Sequence, residues 1–475
     1  MFERLFSWLK DVPLSKFLDS PVKRWLWNNA LLIRLVRRYY RQEFSYEKIP
    51  FEMIPKPVPG LKKGRFILTG ENWLDEVERP IAVLWGFNSW KRLSTSEYLP
   101  EYRVAFAKRA VLWPFMFFSI SKLARDNNGL VFIVWSYKEK LRVRAFSRIF
   151  SIPIYRMEDG FIRSASLGAQ HTTPMSLCLD KTGLYLDATR PSDLENLLNT
   201  FDFDSETELL DKTRSIMHIM RDLKISKYKF YGLASVLDII GLRTNKKRVL
   251  VIGQVEQDAS IKFGLAKNWT NELLIRLASD ENPNAEIYYR PHPDEMYGFR
   301  RNRRLRKFKG ITILDQKDIT VTDIFEHVDH VYTVTSLSGF EALAYGLKVT
   351  VVGAPFYAGW GVTDDRCQIP RRGRLLTVEQ LYCAAYLLYP RYISNIGDSL
   401  VGILGAIFTV VTDAEDVLNQ KLQTLLDDNS KLNKSQIKLV ASSEKWPALL
   451  NKPILNSCFN SCGNLNKIFM SNKLY

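Results

Sequence analysis

The chain has 475 residues, 46% of them hydrophobic and 25% charged, a length and balance that exclude a single small domain and a mainly disordered polymer and predict two to three folded domains. Lys and Arg number 67 against 51 Asp and Glu, a net charge of +16 that favours an anionic partner (nucleic acid, membrane lipid, nucleotide or acidic sugar) without choosing among them. The five cysteines, Cys178, Cys367, Cys383, Cys458 and Cys462, are odd in number and scattered, which excludes a disulfide-stapled secreted scaffold and fits a reducing cytosol.

The opening MFERLFSWLKDVPLSKF carries Asp11 and Pro13 where a secretory signal needs an apolar core, so it does not read as one. Residues 1–41 hold nine Lys or Arg against three Asp or Glu, a net charge of +6, together with Trp8, Trp25 and Trp27. Phe2, Leu5, Phe6 and Leu9, and again Leu32, Leu35, Val36 and Tyr39, follow helical spacing. Two readings stay open: helices lying on an anionic inner-membrane surface, or helices packed on the body of the protein. The proline-rich IPFEMIPKPVPGLKKG then reads as a linker, which closes a basic extension over residues 1–80.

From Ile81 short apolar runs alternate with helical patterns: IAVLWG, LVFIVW, IPIYRM, LCLD and GLYLD. A Lys-rich helical connector precedes a second series, RVLVIG, AEIYYRPHP, ITILD, HVYTVTS and KVTVVG. This grammar predicts an α/β fold of two doubly wound, Rossmann-like domains over 81–240 and 241–411, facing across a cleft, with a tail over 412–475. The apolar runs from Val111 and Leu400 are too short to cross a bilayer. In open parallel sheets the ligand sits beyond the strand ends, so residues just after each run are the functional candidates.

After IPIYRM comes EDGFIRS, with Glu158 and Asp159 adjacent before Gly160: either a turn in which Gly160 takes a positive φ, or a pair of carboxylates at work. In QVEQDAS, Asp258 is either a helix N-cap or a nucleophile. YYRPHPDE places Arg290 and His292 at a strand exit with prolines on either side of the imidazole, an arrangement suited to phosphate. In HVYTVTSLSGFEALAYG, Ser338 and Glu341 have capping-box spacing, and the hydroxyls of Ser336 and Ser338 join a helix start that favours an anion. APFYAGWG then reads as a glycine- and aromatic-rich loop able to line a sugar or base. The run Glu326-His327-Val328-Asp329-His330 lacks a separate partner at ligand spacing, Cys458 and Cys462 lack a second pair, and no metal site is expected. The basic run RNRRLRKFK has no accompanying nucleic-acid motif, and a nucleic-acid partner would rest on charge alone.

The ordered set RMEDGFIRSASLG, GQVEQDASIKFG, YYRPHP, VTSLSGFEALAYG and APFYAGWGVTDDR, closing with LLTVEQLYCAAYLLYPRYI, resembles the bacterial capsule polysaccharide β-Kdo transferase family over roughly residues 81–393. That resemblance implies a GT-B fold and a retaining transfer of Kdo from CMP-β-Kdo, without metal or other cofactor, to a glycolipid or glycan acceptor at the cytoplasmic face of the inner membrane, alongside other capsule synthesis or export proteins. It also implies Asp258 as the nucleophile, Glu158 as the acid/base, and His292, Arg290, Ser336, Ser338, Gln254, Asp159 and Arg163 as binding residues. Family members commonly carry two modules in tandem, whereas each motif occurs once here, which implies one linkage. The alternatives are transfer of another CMP-activated acidic sugar, or a non-catalytic glycolipid-binding role in a capsule export complex.

Overall fold

The computed structural model describes residues 66–68, 78–107, 120, 129–165, 172–227, 234–266, 268–297, 310–317, 319–392, 402–407, 409–411 and 413–414. The basic segment 1–41, the proline-rich linker, the run 301–309 and Cys458 and Cys462 lie outside the described residues.

The first sheet begins with β1 (Phe66–Leu68), β2 (Ile81–Trp85), β3 (Arg103–Ala107), β4 (Leu130–Trp135), β5 (Ile154–Asp159) and β6 (Ser176–Asp180). The second holds β7 (Arg248–Ile252), β8 (Glu286–Arg290), β9 (Ile311–Ile313), β10 (His330–Thr333), β11 (Lys348–Val351) and β12 (Asp364–Asp365) in the order β12-β11-β10-β7-β8-β9. All its neighbouring strands pair in parallel. The chain then returns through helix Val378–Tyr382 and a wide helical turn, Cys383–Leu388, to add β13 (Pro390–Tyr392) to the first sheet, whose order is β1-β3-β2-β4-β5-β6-β13. There β3, β2, β4 and β5 run parallel, while β1, β6 and β13 pair antiparallel. The expected α/β architecture of two parallel-rich sheets is present, and its first sheet takes strands from outside 81–240 on both sides.

Why these runs become strands is visible in their burial. Every residue of β2, β4 and β7 is buried, as continuous apolar runs must be when a parallel sheet is covered on both faces. On the first sheet Val83, Phe132 and Phe146 pack on one face, and Leu84, Ile133 and Met157 on the other. One core cluster crosses between the domains, joining Phe161 and Cys178 to Leu250, Phe340 and Tyr386. Among the described residues no helix is long and apolar enough to cross a membrane.

Two local readings are corrected. GLYLD is a turn, not a strand, because the Asp180 carboxylate accepts the backbone N–H groups of Thr182, Gly183 and Asp193 and closes the chain on itself directly after β6. Gly160 has no positive φ; β5 runs straight through Asp159, and glycine is required because a Cβ would stand 2.3 Å from the Ser176 hydroxyl. In the aromatic loop, by contrast, Gly359 and Gly361 do take positive φ, 86° and 88°, and turn Trp360 into the core.

Trp360 is fully buried and its Nε1–H donates to the Phe356 carbonyl at 2.8 Å. W360A should lower stability by about 3–5 kcal/mol in denaturant unfolding, with W360F losing clearly less because it keeps most of the buried area.

Candidate active site

The strand register brings three exits together. β7 lies between β8, with Ile252 opposite Arg290, and β10, with Val251 opposite Tyr332. The residues that follow are therefore neighbours: Gly253 and Gln254, Pro291 and His292, and Thr335 and Ser336. Opposite them, the end of β5 presents Glu158. Together these line a cleft of about 410 Å³ between the two sheets, with Asp258, Ser338, Lys227, Glu341, Tyr185 and Phe356 on its walls.

Asp258 sits at the start of helix Ala259–Phe263 with extended backbone, and its Oδ1 accepts the Ser260 backbone N–H and hydroxyl, both at 2.9 Å. It is thus the N-cap, and both of those bonds fall on one oxygen. Glu256, two residues earlier, instead accepts the Asn271 backbone N–H at 3.1 Å.

Glu158 and Asp159 are adjacent carboxylates with different surroundings. For Asp159 burial favours the neutral acid, but Lys91 at 2.8 Å and Arg163 at 3.3 Å outweigh it and hold the pKa below the usual value. Lys91 is itself seated over the Trp135 ring, 3.2 Å from its centre, which fixes the ammonium. For Glu158 burial, reinforced by the charge of Asp159, pushes the pKa up, while Lys91, the Asp159 backbone N–H and Lys227 offset part of the rise. Its Oε1 accepts that N–H at 3.1 Å. One carboxylate is thus held below its ordinary pKa and its neighbour above it.

His292 caps the short helix Pro293–Met296, and its Nδ1 accepts the Asp294 backbone N–H at 3.1 Å, so the neutral ring carries its proton on Nε2. Ser336, not Ser338, caps helix Leu337–Ala344: its φ and ψ are −65° and 141°, and its hydroxyl accepts the Ser338 N–H. The expected capping box does not form, because with Ser336 as the cap the third helical position is Gly339; Glu341 accepts the Lys227 backbone N–H at 2.9 Å and has the Ser338 hydroxyl beside it.

Four expected binding residues take supporting places. Arg290 lines the cleft, but its guanidinium donates to the carbonyls of Leu314 (2.6 Å), Gln316 (2.9 Å) and Ile319. It therefore holds the loop after β9 rather than offering a free fork to phosphate. Gln254 is gripped through both ends of its amide by Thr335, which receives its Nε2–H at 3.1 Å and donates its own N–H to Oε1 at 2.6 Å. Arg163 is 1% exposed, bonded to Ser164 and Thr172 as well as Asp159, and with Asp159 it stands behind Glu158. Lys91, Lys227 and Glu341 are site residues that motif reading missed; Lys227 lies in the Lys-rich connector, where nothing local distinguishes it from its neighbours.

Elsewhere, the run Glu326–His330 is structural: Asp329 accepts the Arg248 N–H at 2.8 Å and pairs with Arg243, and His330 bonds the Thr350 hydroxyl at 2.8 Å.

A family model for capsule polysaccharide biosynthesis proteins matches residues 132–392. Among curated proteins, the lipopolysaccharide-processing protein LpsZ of Rhizobium meliloti is 40% identical over 359 residues, covering 73% of this chain and 79% of LpsZ. The capsule polysaccharide modification protein LipA of Neisseria meningitidis is 36% identical over 314 residues, 65% of this chain but only 42% of LipA. Among solved structures, the β-Kdo 2,4 transferase of Thermosulfurimonas dismutans KpsC aligns with a TM-score of 0.58 at 32% identity, over 68% of this chain and 98% of that one. The β-Kdo 2,7 transferase of the same protein gives 0.52 at 33%, over 70% and 99%. With a GT-B-like fold similar to that of KpsC and a family match over more than half its length, the chain belongs to the capsule polysaccharide biosynthesis protein family.

Proposed function

We propose that this protein is a retaining β-Kdo glycosyltransferase that moves Kdo from CMP-β-Kdo to a glycolipid or glycan acceptor in the making of a surface polysaccharide. The observation that carries the reading is the meeting of Glu158 from one sheet with Asp258, His292 and the Ser336 helix start from the other, in a chain similar to two β-Kdo transferases. The reading implies an acceptor at the inner-membrane surface and neighbouring capsule synthesis or export proteins as partners.

In the first displacement an Asp258 oxygen attacks the anomeric carbon of Kdo. The bond from that carbon to the phosphate oxygen breaks, and CMP leaves with the electron pair. In the second, the acceptor hydroxyl attacks the same carbon, the bond to Asp258 breaks, and the hydroxyl proton passes to Glu158. Two inversions leave the configuration retained. A raised Glu158 pKa suits this second step, because a stronger base at near-neutral pH takes the proton more readily. The His292 Nε2–H, the Ser336 and Ser338 hydroxyls and the helix N-terminus supply fixed positive dipoles for the phosphate. Gln254, Arg290, Asp159 and Arg163 serve this chemistry by holding the strand exits and the acid/base in place.

Incubating the full chain with a CMP-Kdo-generating system and candidate glycolipid acceptors should add the mass of one Kdo to an acceptor, with EDTA present throughout. D258N should abolish the product while still binding CMP; transfer at the wild-type rate in D258N, or a strict requirement for a divalent ion, would reject the mechanism.

Calorimetry with CMP gives an independent check on the donor side. H292A should weaken binding by about 1.5–3 kcal/mol, the loss of one hydrogen bond to a charged group, and an unchanged affinity would move the nucleotide away from the β8 exit.

The carboxylate pair gives a third. D159N leaves Lys91 and Arg163 buried without their anion and should lower stability at pH 7 by about 3–5 kcal/mol. Because the folded-state pKa of Asp159 is depressed, its stabilisation is complete above the ordinary carboxylate range and vanishes as pH falls through the folded value, so wild type and D159N should converge in acid. A difference that does not shrink at all as pH falls through the acid range would refute an ionic origin.

A further inference from the structure

Lys227 belongs to the connector between the two sheets, and its backbone bonds in opposite directions. Its N–H donates to Glu341 Oε1 at 2.9 Å, on helix Leu337–Ala344 of the second sheet. Its carbonyl accepts the Arg163 backbone N–H at 3.1 Å, from the segment that follows β5. The Arg163 Nε–H pairs with Asp159 at 3.3 Å, and the Asp159 N–H donates to Glu158 at 3.1 Å. A continuous chain of bonds thus runs from the helix that starts at Ser336 to Glu158, through one residue of the connector.

Glu341 is 4% exposed, an unusual place for a carboxylate that has no role. Burial pushes its pKa up to about 7, against the pull of the Lys227 N–H and ammonium and of the Ser338 hydroxyl, and Tyr357, Tyr382 and Tyr386 add no positive charge around it. The Lys227 side chain lines the cleft, and its charge bears on both Glu158 and Asp159.

We infer that Glu341 is a positioning residue: it anchors the Lys227 peptide and so fixes where the Lys227 ammonium stands relative to Glu158. The kinetic consequence rests on the proposed transfer, whereas the anchoring does not. The ionisable groups bearing on Glu158 are Asp159 on its own strand, Lys91 from the turn Ser89–Lys91, Cys178 opposite it on β6, Tyr185, and Lys227. Of these cations Lys227 alone is tied to the second sheet through Glu341. Loosening it removes part of the pull that keeps Glu158 ionised, so the pKa of Glu158 climbs further. The limb on which transfer rises with pH, where Glu158 must be unprotonated to take the acceptor proton, then moves to higher pH.

The test uses the full-length protein with E341A, E341Q and K227A. Hydrogen exchange of the Lys227 and Arg163 amides should speed up about tenfold or more in E341A, the loss of one net hydrogen bond, and stay near wild type in E341Q, whose amide oxygen can accept the same N–H. K227A keeps the peptide bonds and removes the charge, so it should leave exchange unchanged yet shift the acidic limb of Kdo transfer upward, as E341A does, with E341Q restoring most of the turnover lost in E341A. Wild-type exchange at both amides in E341A, or an unmoved limb in K227A, overturns the inference. If E341A does not fold, E341D takes its place, its carboxylate one methylene too short to reach the Lys227 N–H: faster exchange at those two amides than in wild type supports the anchor, and wild-type exchange rejects it. A wild-type protein that transfers no Kdo overturns the transferase reading, and the exchange measurement still decides the anchor.

Discussion

Everything in the cleft depends on how two adjacent carboxylates are tolerated at the end of β5. Two buried anions side by side repel each other and each loses its hydration, so the pair is stable only where cations or protons compensate. The fold resolves this unequally. Lys91, held over Trp135, and Arg163, held by Ser164 and Thr172, both point at Asp159 and neutralise it. Glu158 is left with burial and a neighbouring negative charge, and its pKa rises. The asymmetry follows from geometry: Asp159 faces back into its own domain, where the cations are, and Glu158 faces the cleft. The raised carboxyl that the proposed transfer uses as its proton carrier is the residue of an electrostatic compromise.

Such a carrier is useful only if the opposite wall stands still, and the seam between the domains accounts for that. Glu195, 4% exposed, receives the Arg371 Nε–H at 2.8 Å and the Arg372 Nε–H at 2.9 Å, while Arg372 also donates to the Ala358 carbonyl of the aromatic loop. Beside it Phe161, one residue past Gly160, packs against Phe356 at 4.9 Å and Tyr386 at 5.7 Å, and Phe340 stacks on Tyr382 at 4.3 Å. The residues that hold the domains together are therefore neighbours in sequence of the residues that line the cleft, or line it themselves: Phe161 follows the carboxylates, Phe340 follows Ser338, and Phe356 is itself on the cleft wall. Packing and chemistry share the same short segments, which explains why the motifs are long and rich in aromatic residues.

The sheets were legible in the sequence to the extent that strands were long and buried on both faces. β2 and β4 are runs of five and six apolar residues and β7 has four after Arg248, and all three announce themselves. β1 and β12, with three and two residues, are too short for any periodicity to register, and β13 is a strand only because β6 offers it an open edge. In the site, strand-exit position identified Glu158, Asp258, His292 and Ser336 correctly as cleft residues, because that rule depends on topology alone. What it could not supply was partnership at long range. Arg290 reads as a phosphate ligand until the carbonyls 24 to 29 residues further on claim its guanidinium. Two serines two residues apart both satisfy the pattern of a cap, and only the backbone angles at Ser336 decide between them. The bond between Lys227 and Glu341 spans 114 residues and leaves no local signal.

The commitment of Arg290 and Arg163 to structural bonds has a further consequence for the chemistry. With these guanidinia engaged, the groups that the strand exits themselves turn toward an anion are an imidazole, hydroxyls and a helix start, which are fixed dipoles or weakly basic, while the Lys227 ammonium on the cleft wall comes from the connector. A dipole binds a phosphate without the full Coulomb energy of a buried ion pair, and it loses little when the phosphate departs. On the proposed reading this matters, because the nucleotide must be held tightly enough to be attacked and then released as a separate product. Two rigid arginines would favour the departing CMP dianion over the bound sugar nucleotide and slow its exit. On the same reading, proton transfer is kept apart from this binding surface, on Glu158, whose partners Asp159 and Lys91 belong to the other sheet. Changes in pH then act on the acid/base through Asp159, Lys91 and Lys227, while the hydroxyls and helix amides that face the donor keep their character across the same range.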